Sequence, residues 1–191
     1  WGLIFLIVLS VIVMVAAENV KQRDPIVDDN YATMVNASKI MREGMQVLKP
    51  LRAQLAPINP EFDPQRSGFV GLENSIVTTN HGGRESKQTT VNPNWAAVAV
   101  KLMADAGVKE GDLVAVTVSG SFPALNLAVY SAIEAIGAEA VIIASASSSQ
   151  WGANVPNFLW LDMERELREA GVLSLKPVYA SIGGIEDRGI G

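Results

Sequence analysis

Small polar residues follow a β-branched run in the segment VTVSGSFPALN, residues 116–126. The run stops at Ser119-Gly120-Ser121, and Phe122-Pro123 begins a pattern typical of a helix. A strand, a tight polar loop and a helix N-terminus present backbone N–H groups to an anion in many α/β proteins. Gly120 allows close approach and Ser121 is suited to cap the helix. The segment predicts a small-anion site for a carboxylate, although a turn and a cap would also explain it.

Hydroxyl groups and glycines also follow the other predicted strands. The carboxyl ends of parallel strands meet at one sheet edge, where ligands bind, so we expect a crevice there. Small polar residues are common in such loops without any ligand. Arg84 and Lys87 could hold a carboxylate or phosphate, or could be solvated surface charges. The predicted ligand-binding residues are Ser119, Gly120, Ser121, Asn126, Thr79, Arg84, Ser147, Gly183 and Gly184.

The composition of the chain excludes several classes of chemistry. The chain has no cysteine and one histidine, which excludes disulfides, thiolate catalysis, cysteine-ligated zinc and a multi-histidine metal site. It has no P-loop motif, and no G-x-G-x-x-G motif follows a predicted strand. A formal net charge of −5 argues against a nucleic-acid partner. We therefore predict no bound metal, no cofactor and no nucleic acid.

A serine hydrolase remains an alternative, with Ser121 as the nucleophile. The flanking sequence lacks the two glycines of a G-x-S-x-G nucleophile elbow. His81 is the one imidazole that could act as a base, and Asp162 or Asp187 could orient it. Nothing in their spacing requires such a triad, so enzymatic activity stays open and no catalytic residue is assigned.

Alternating strand and helix signals predict an α/β fold over residues 58–191, a Rossmann-like domain with a parallel sheet. The predicted strands are 75–79, 113–118, 140–144 and 178–182. Helices are expected from Asn92-Pro93, over 122–136, and after Asn157 as a cap. The continuous apolar run 113–118 is typical of a central strand that is covered on both faces.

The N-terminal part of the chain has a different character. Residues 1–17 carry no charge and predict a transmembrane helix, with a signal peptide as the alternative. Residues 18–57 predict a helical stalk whose Met-rich stripe packs on the domain and whose helix kinks or ends at Pro50. Lys21 and Arg23 are mixed with acidic residues, so the charge pattern gives no membrane orientation.

The GGIEDRGIG block resembles a strand-to-helix loop with no helix after it, so the α/β domain is expected to be truncated at its C-terminus. Further βα units of the intact protein, or a partner chain, would complete the sheet.

Several blocks resemble the family of poly-γ-glutamate system proteins: DPQRSGFVG, ENSIVTT, TVNPNWAAV, GDLVAVTVSGSFPALN, SQWGANVPNFLWLDMERELREAG and ASIGGIEDRGIG. The resemblance covers roughly residues 28–191, and its most specific blocks are SGSFPALN and WGAN…WLDME. It implies a membrane-anchored accessory protein of poly-γ-glutamate biosynthesis or secretion, with its soluble domain outside the cytoplasmic membrane. It implies no reaction. Family members extend past GGIEDRGIG, which also favours a truncated chain.

Three hypotheses follow. The first is a single-pass cell-membrane accessory protein that binds the glutamate polymer or components of its synthase. The second is a hydrolase or transferase that acts on the polymer through Ser121. The third is a structural protein that forms homo-oligomers through its Met-rich helix. The acidic net charge weakly disfavours broad binding to a polyanion.

Overall fold

The structure of the protein is a computed structural model that describes residues 1–20 and 27–189, without the side chains of residues 19 and 20. Segment 21–26 of the predicted stalk and the last two residues of the GGIEDRGIG block lie outside the described residues. In chain order the elements are α1 (Gly2–Val20), α2 (Tyr31–Leu55), β1 (Thr78–Asn80), α3 (Arg84–Thr90), α4 (Asn94–Asp105), β2 (Leu113–Ser119), α5 (Pro123–Ile136), β3 (Glu139–Ser145), β4 (Ser148–Ser149), β5 (Asn154–Val155), β6 (Phe158–Leu159), α6 (Trp160–Glu169), β7 (Tyr179–Ser181) and a 3-10 turn (Ile185–Asp187).

The strands form parallel sheets, which confirms the predicted α/β class. Strands β2, β3 and β7 make a three-stranded parallel sheet in that order, and β1 pairs in parallel with β4. Strands β5 and β6 form a separate antiparallel hairpin. The connection from β2 through α5 to β3 is the βαβ unit that the alternation of signals predicts.

Strand β2 differs from its prediction in two ways. It lies at an edge of the three-stranded sheet, whereas β3 is central. Only alternate residues face the core: Val116 and Val118 are 8% exposed, whereas Leu113 is 66% exposed. The same alternation holds in β3, where Ile143 is 40% exposed. Within the described residues, one face of this sheet is uncovered, so the apolar run of β2 does not signify burial on both faces.

Helix α2 packs on the domain, as its Met-rich stripe predicts. Met41 and Leu48 are buried in the core that α2 shares with α4, α5 and α6. Gly44 permits this close packing, because a Cβ there would lie 3.0 Å from Leu167 and 3.1 Å from Leu127. Pro50 does not end α2, which continues to Leu55. At its C-terminal end the buried side chain of Arg52 donates to the carbonyl of Ala56 at 2.6 Å.

The start of α6 also corrects a prediction. Asn157 does not cap the helix; it has a φ of 65° in the turn between β5 and β6, a conformation that asparagine tolerates. The helix begins after Leu159, whose N–H donates to Asp162 Oδ2 at 2.9 Å. Asp162 thus supplies the side-chain cap from inside the first turn.

Helix α1 exposes its apolar side chains on every side, with large side chains between residues 3 and 15 from 44% to 73% exposed. In the part of the chain that the structure describes, no helix combines the length and apolarity needed to cross a membrane. The predicted transmembrane helix over residues 1–17 is therefore not supported.

Candidate functional site

The loops at the carboxyl ends of the strands meet around segment 145–153. Thr79 at the end of β1 lies against β4, and its Oγ1 is 3.4 Å from the carbonyl of Ser148. Ser145 and Ser181, at the ends of β3 and β7, share a hydroxyl hydrogen bond of 2.7 Å. The N–H of Ser147 donates to the carbonyl of Ile182 at 3.0 Å. The sequence therefore predicted correctly which loops come together.

The backbone of the Ser119-Gly120-Ser121 loop is already hydrogen-bonded within the protein. The N–H of Gly120 donates to the carbonyl of Ser147 at 3.0 Å, and its carbonyl accepts from the N–H of Ala153 at 2.7 Å. The N–H of Ser121 points to Ser119 Oγ at 3.4 Å. The donors that an anion would need at these two residues are occupied, and we assign no anion site to them.

Two further side chains of this segment have structural partners. Ser121 is not the N-cap of α5; Phe122 occupies that position, without a side-chain cap. The Ser121 Oγ instead accepts the N–H of Ser149 at 3.1 Å, because the two loops pack against each other. Asn126 is 7% exposed, and its Nδ2 donates to the carbonyl of Ser119 at 2.7 Å. Both side chains hold the loop in place.

The glycines after β7 are explained by backbone conformation and close approach. Gly183 and Gly184 have φ values of 78° and 80°, which favour glycine. A Cβ on Gly183 would lie 2.1 Å from Ser147 Oγ. A cavity of about 110 Å³ lies beside them, lined largely by apolar side chains, with Ser147 as its one hydroxyl group. This arrangement gives Ser147 and the two glycines a packing role.

A polar cleft of about 250 Å³ lies next to the end of β1 and is lined by Asn74, Thr78, Thr79, Asn80, His81 and Gln150. His81 is exposed, and its Nδ1 lies 3.4 Å from Gln150 Oε1. Asp162 caps α6, and Asp187 accepts the N–H of Gly183. The hypothetical triad of Ser121, His81 and one of these aspartates is not assembled.

Lys87 is the most unusual ionisable residue beside this cleft. It is 3% exposed, its Nζ donates to Ser149 Oγ at 3.1 Å, and the same nitrogen lies 3.4 Å from the centroid of the Phe122 ring. Among the described residues no carboxylate lies within 4 Å of its amine. Burial lowers the pKa of Lys87 to about 8. An amine that is buried without a counter-charge is typical of functional sites.

The sequence named Lys87 only as one of two possible anion ligands, and the structure separates the two. Arg84 lies with its guanidinium carbon 5.5 Å from the centroid of Phe62 and 5.8 Å from that of Trp151. Its Nη2 pairs with Glu85 at 3.3 Å, on the surface. Helix α3 carries both residues and was not predicted, because RESKQTT shows no apolar periodicity. Burial of a lysine in such a segment leaves no signal in the sequence.

A second polar region is a groove of about 260 Å³ on α2, which we call the cationic groove. Its three charged residues are Arg42, Lys49 and Arg66, all exposed, and none forms an ion pair among the described residues. Its other lining residues include Met45, Gln46, Gln65, Ser67, Val91 and Pro93, with no carboxylate. Arg66 has a φ of 49°, an uncommon conformation for a residue with a side chain.

Comparison with known proteins identifies no family for this chain. No protein-family model, no curated protein and no solved structure matches this chain. The resemblance to poly-γ-glutamate system proteins therefore rests on the sequence blocks quoted above.

Proposed function

We propose that the protein is an accessory protein of poly-γ-glutamate biosynthesis or export, attached to the cell membrane, with a Rossmann-like domain that binds the polymer in the cationic groove. The groove is the observation that carries this proposal. Its lining combines three cations, which form no ion pair within the part of the chain that the structure describes, with the apolar side chains of Met45, Val91 and Pro93. A γ-linked glutamate chain has the matching chemistry, because each unit presents one carboxylate and two methylene groups.

For binding of the polymer, the local positive charge in the groove matters more than the acidic net charge of the chain. Exposed charges farther apart than about 10 Å are largely screened at ordinary salt concentration, so a polymer senses mainly the cations that it touches. Arg42 and Lys49 lie seven residues apart on α2, two helical turns, and Arg66 joins them from the following loop. The strained backbone of Arg66 is consistent with a functional position, since such strain concentrates at binding sites.

Membrane attachment is the second part of the proposal, and α1 supports it. A helix that exposes apolar side chains on every side needs an apolar environment to cover it. In the proposal, lipid of the cell membrane covers α1, and the α/β domain lies outside the cytoplasm, where an exported polymer would reach it.

Titration calorimetry of the full chain in detergent with γ-linked glutamate oligomers tests the proposal. Replacing Arg42, Lys49 and Arg66 together by Gln should weaken binding about tenfold, since an exposed ionic contact contributes roughly 0.5 kcal/mol. Lys39→Gln is the matched control, because Lys39 is exposed on the same helix but outside the groove. Wild-type binding should also weaken as salt is raised. An oligomer that fails to bind, or that binds the triple variant as tightly as the wild type, contradicts the proposal.

The uncovered sheet face supports a second candidate function, self-assembly at the membrane. Leu113 is 66%, Val141 38% and Ile143 40% exposed on this face. Light scattering of the detergent-solubilised protein should then report an oligomer that Leu113→Lys and Ile143→Lys dissociate. A monomeric wild type contradicts this candidate, and affinity capture followed by mass spectrometry identifies any synthase component that covers the face instead.

A further inference from the structure

We propose that Ser149 and Lys87 form a serine–lysine pair that hydrolyses an amide or ester with a small polar acyl part. The proposal is independent of polymer binding in the cationic groove, whose lining contains neither Ser149 nor Lys87. It also replaces Ser121 as the candidate nucleophile.

The geometry around Ser149 assigns the roles. Its Oγ lies 3.1 Å from Lys87 Nζ, within the distance of a proton transfer. The backbone of Ser149 is held on both sides, since its N–H donates to Ser121 Oγ at 3.1 Å and its strand pairs with β1. Lys87 is fixed by burial and by the Phe122 ring. A nucleophile and its base are thus held together on rigid elements, which nucleophilic catalysis requires.

The reaction balances with these groups and water. The Ser149 Oγ attacks the acyl carbonyl carbon and forms a C–O bond, while its proton passes to neutral Lys87 Nζ. Lys87 then gives this proton to the leaving amine or alcohol as the C–N or C–O bond breaks. Water then attacks the carbonyl carbon of the acyl-serine and gives a proton to Lys87 Nζ. Lys87 passes this proton to Ser149 Oγ as the C–O bond to the serine breaks. Ser121 Oγ accepts the N–H of Ser149 and retains its own proton, which it can donate to the oxyanion.

The protonation state of Lys87 permits this role. A base must be neutral to accept a proton, and burial lowers the pKa of Lys87 to about 8. The ionisable side chains on the neighbouring elements have other partners: Arg84 pairs with Glu85, and His81 lies against Gln150. Burial alone therefore sets the pKa, and the reactive fraction should grow as the pH rises through about 8.

The polar cleft provides the acyl site. Gln150 follows Ser149 and lines the cleft, together with Asn74, Thr78 and Asn80. These amides and hydroxyls suit a neutral polar acyl group. Gly82 follows the cleft residue His81, and a Cβ on it would lie 2.7 Å from the carbonyl oxygen of Gln150 and 2.9 Å from Ser149 Oγ. Glycine at residue 82 therefore permits the close packing of this loop against Ser149.

A fluorophosphonate probe tests the proposal on the full chain in detergent, with the labelled residue identified by mass spectrometry. Wild-type protein should be labelled at Ser149, with a rate that rises with pH and levels off above about pH 8. Ser149→Ala should abolish labelling, and both Lys87→Met and Lys87→Arg should slow it at least about 100-fold, since neither can act as the base. Ser147→Ala is the matched control and should label at the wild-type rate.

If the wild-type protein is labelled at another residue, or is not labelled at all, the proposal is overturned. This outcome needs only the wild-type protein, so it holds even if a variant fails to fold. Equal rates for wild type and a folded Lys87→Arg protein also overturn it, because the lysine would then have only a structural role.

Discussion

Lys87 and Glu164 are both buried and form no ion pair among the described residues, but the two regions that hold them differ in their surroundings. Lys87 contacts a hydroxyl group beside a polar cleft. Glu164 is 1% exposed and lies between α5 and α6. Its Oε1 accepts a hydrogen bond from the hydroxyl group of Tyr130, and its Oε2 has no hydrogen-bond partner among the described residues. Trp160 packs edge-on against Tyr130, with ring centroids 5.6 Å apart.

The difference shows that a buried ionisable group alone does not define a site. Burial raises the pKa of Glu164 and lowers that of Lys87, so in both cases it shifts the titration toward the neutral form. None of the described cavities beside the crevice or on α2 is lined by Glu164, and among the described residues no side chain forms a hydrogen bond with its Oε2. Glu164 therefore has a packing role between two helices, whereas Lys87 contacts the hydroxyl group of Ser149, the residue before Gln150 of the polar cleft.

The largest expected effect is the pH dependence of unfolding in Lys87→Met. The folded pKa of about 8 lies below the unfolded value of 10.5, so wild-type stability rises as the pH rises from about 8 to 10.5. The stability advantage of Lys87→Met should therefore shrink across this window, by at most about 3 kcal/mol for a shift of roughly 2.5 pKa units. Urea unfolding of both proteins at pH 7 and 10.5 measures this change.

Lys101→Met is the control with the opposite sign. Hydrogen bonds to Asp105 and Asp28 raise the pKa of Lys101, so its contribution is present below its unfolded pKa and is lost as the pH rises through the folded value. A Lys87→Met difference that stays flat across the window would mean that Lys87 is charged and solvated in the folded state.

The next effect concerns the loop after β2. Gly120 is buried, and a Cβ on it would lie 3.0 Å from both the Ser147 carbonyl oxygen and Ser148 Cβ. Gly120→Val should destabilise the protein by about 2 kcal/mol through overpacking, measured as a shift in the urea midpoint. Gly83→Val is the control, since a Cβ there meets only Ser86 Oγ at 3.3 Å. Equal stabilities of the two variants would contradict the close packing of this loop against Ser147 and Ser148.

The sequence predicted those helices and strands that local residue patterns determine. Strand β3 and helix α5 were found within one residue, because apolar runs and a glycine stop mark them. Whether β2 is covered on both faces depends on which elements pack on it, and an apolar run cannot reveal that. The strand-end loops were correctly grouped, but Ser121 and Asn157 were assigned as caps because their alternative contacts arise only in the tertiary structure. Lys87 was missed as a buried group for the same reason.

The smallest effects are expected in the helix layer. Tyr130→Phe removes the hydroxyl donor to Glu164 and should lower the free energy of unfolding by about 1 kcal/mol, whereas Tyr31→Phe, at a residue that is 58% exposed, should hardly change it.

Because the pKa of Glu164 is raised, its favourable contribution to stability is present below its unfolded pKa and is lost as the pH rises through the folded value. Glu164→Gln should therefore gain stability relative to wild type over that rise, in chemical unfolding at several pH values.

The titration of the Lys87 amine tests the account most directly, because the contrast between the two regions and the serine–lysine pair both depend on it. Nitrogen NMR of lysine side chains in the full chain, with Lys87→Met to assign the signal, gives its pKa. The account predicts that one amine titrates near pH 8 and that its signal is missing in Lys87→Met. A Lys87 amine that titrates near 10.5, the ordinary value, would contradict the account.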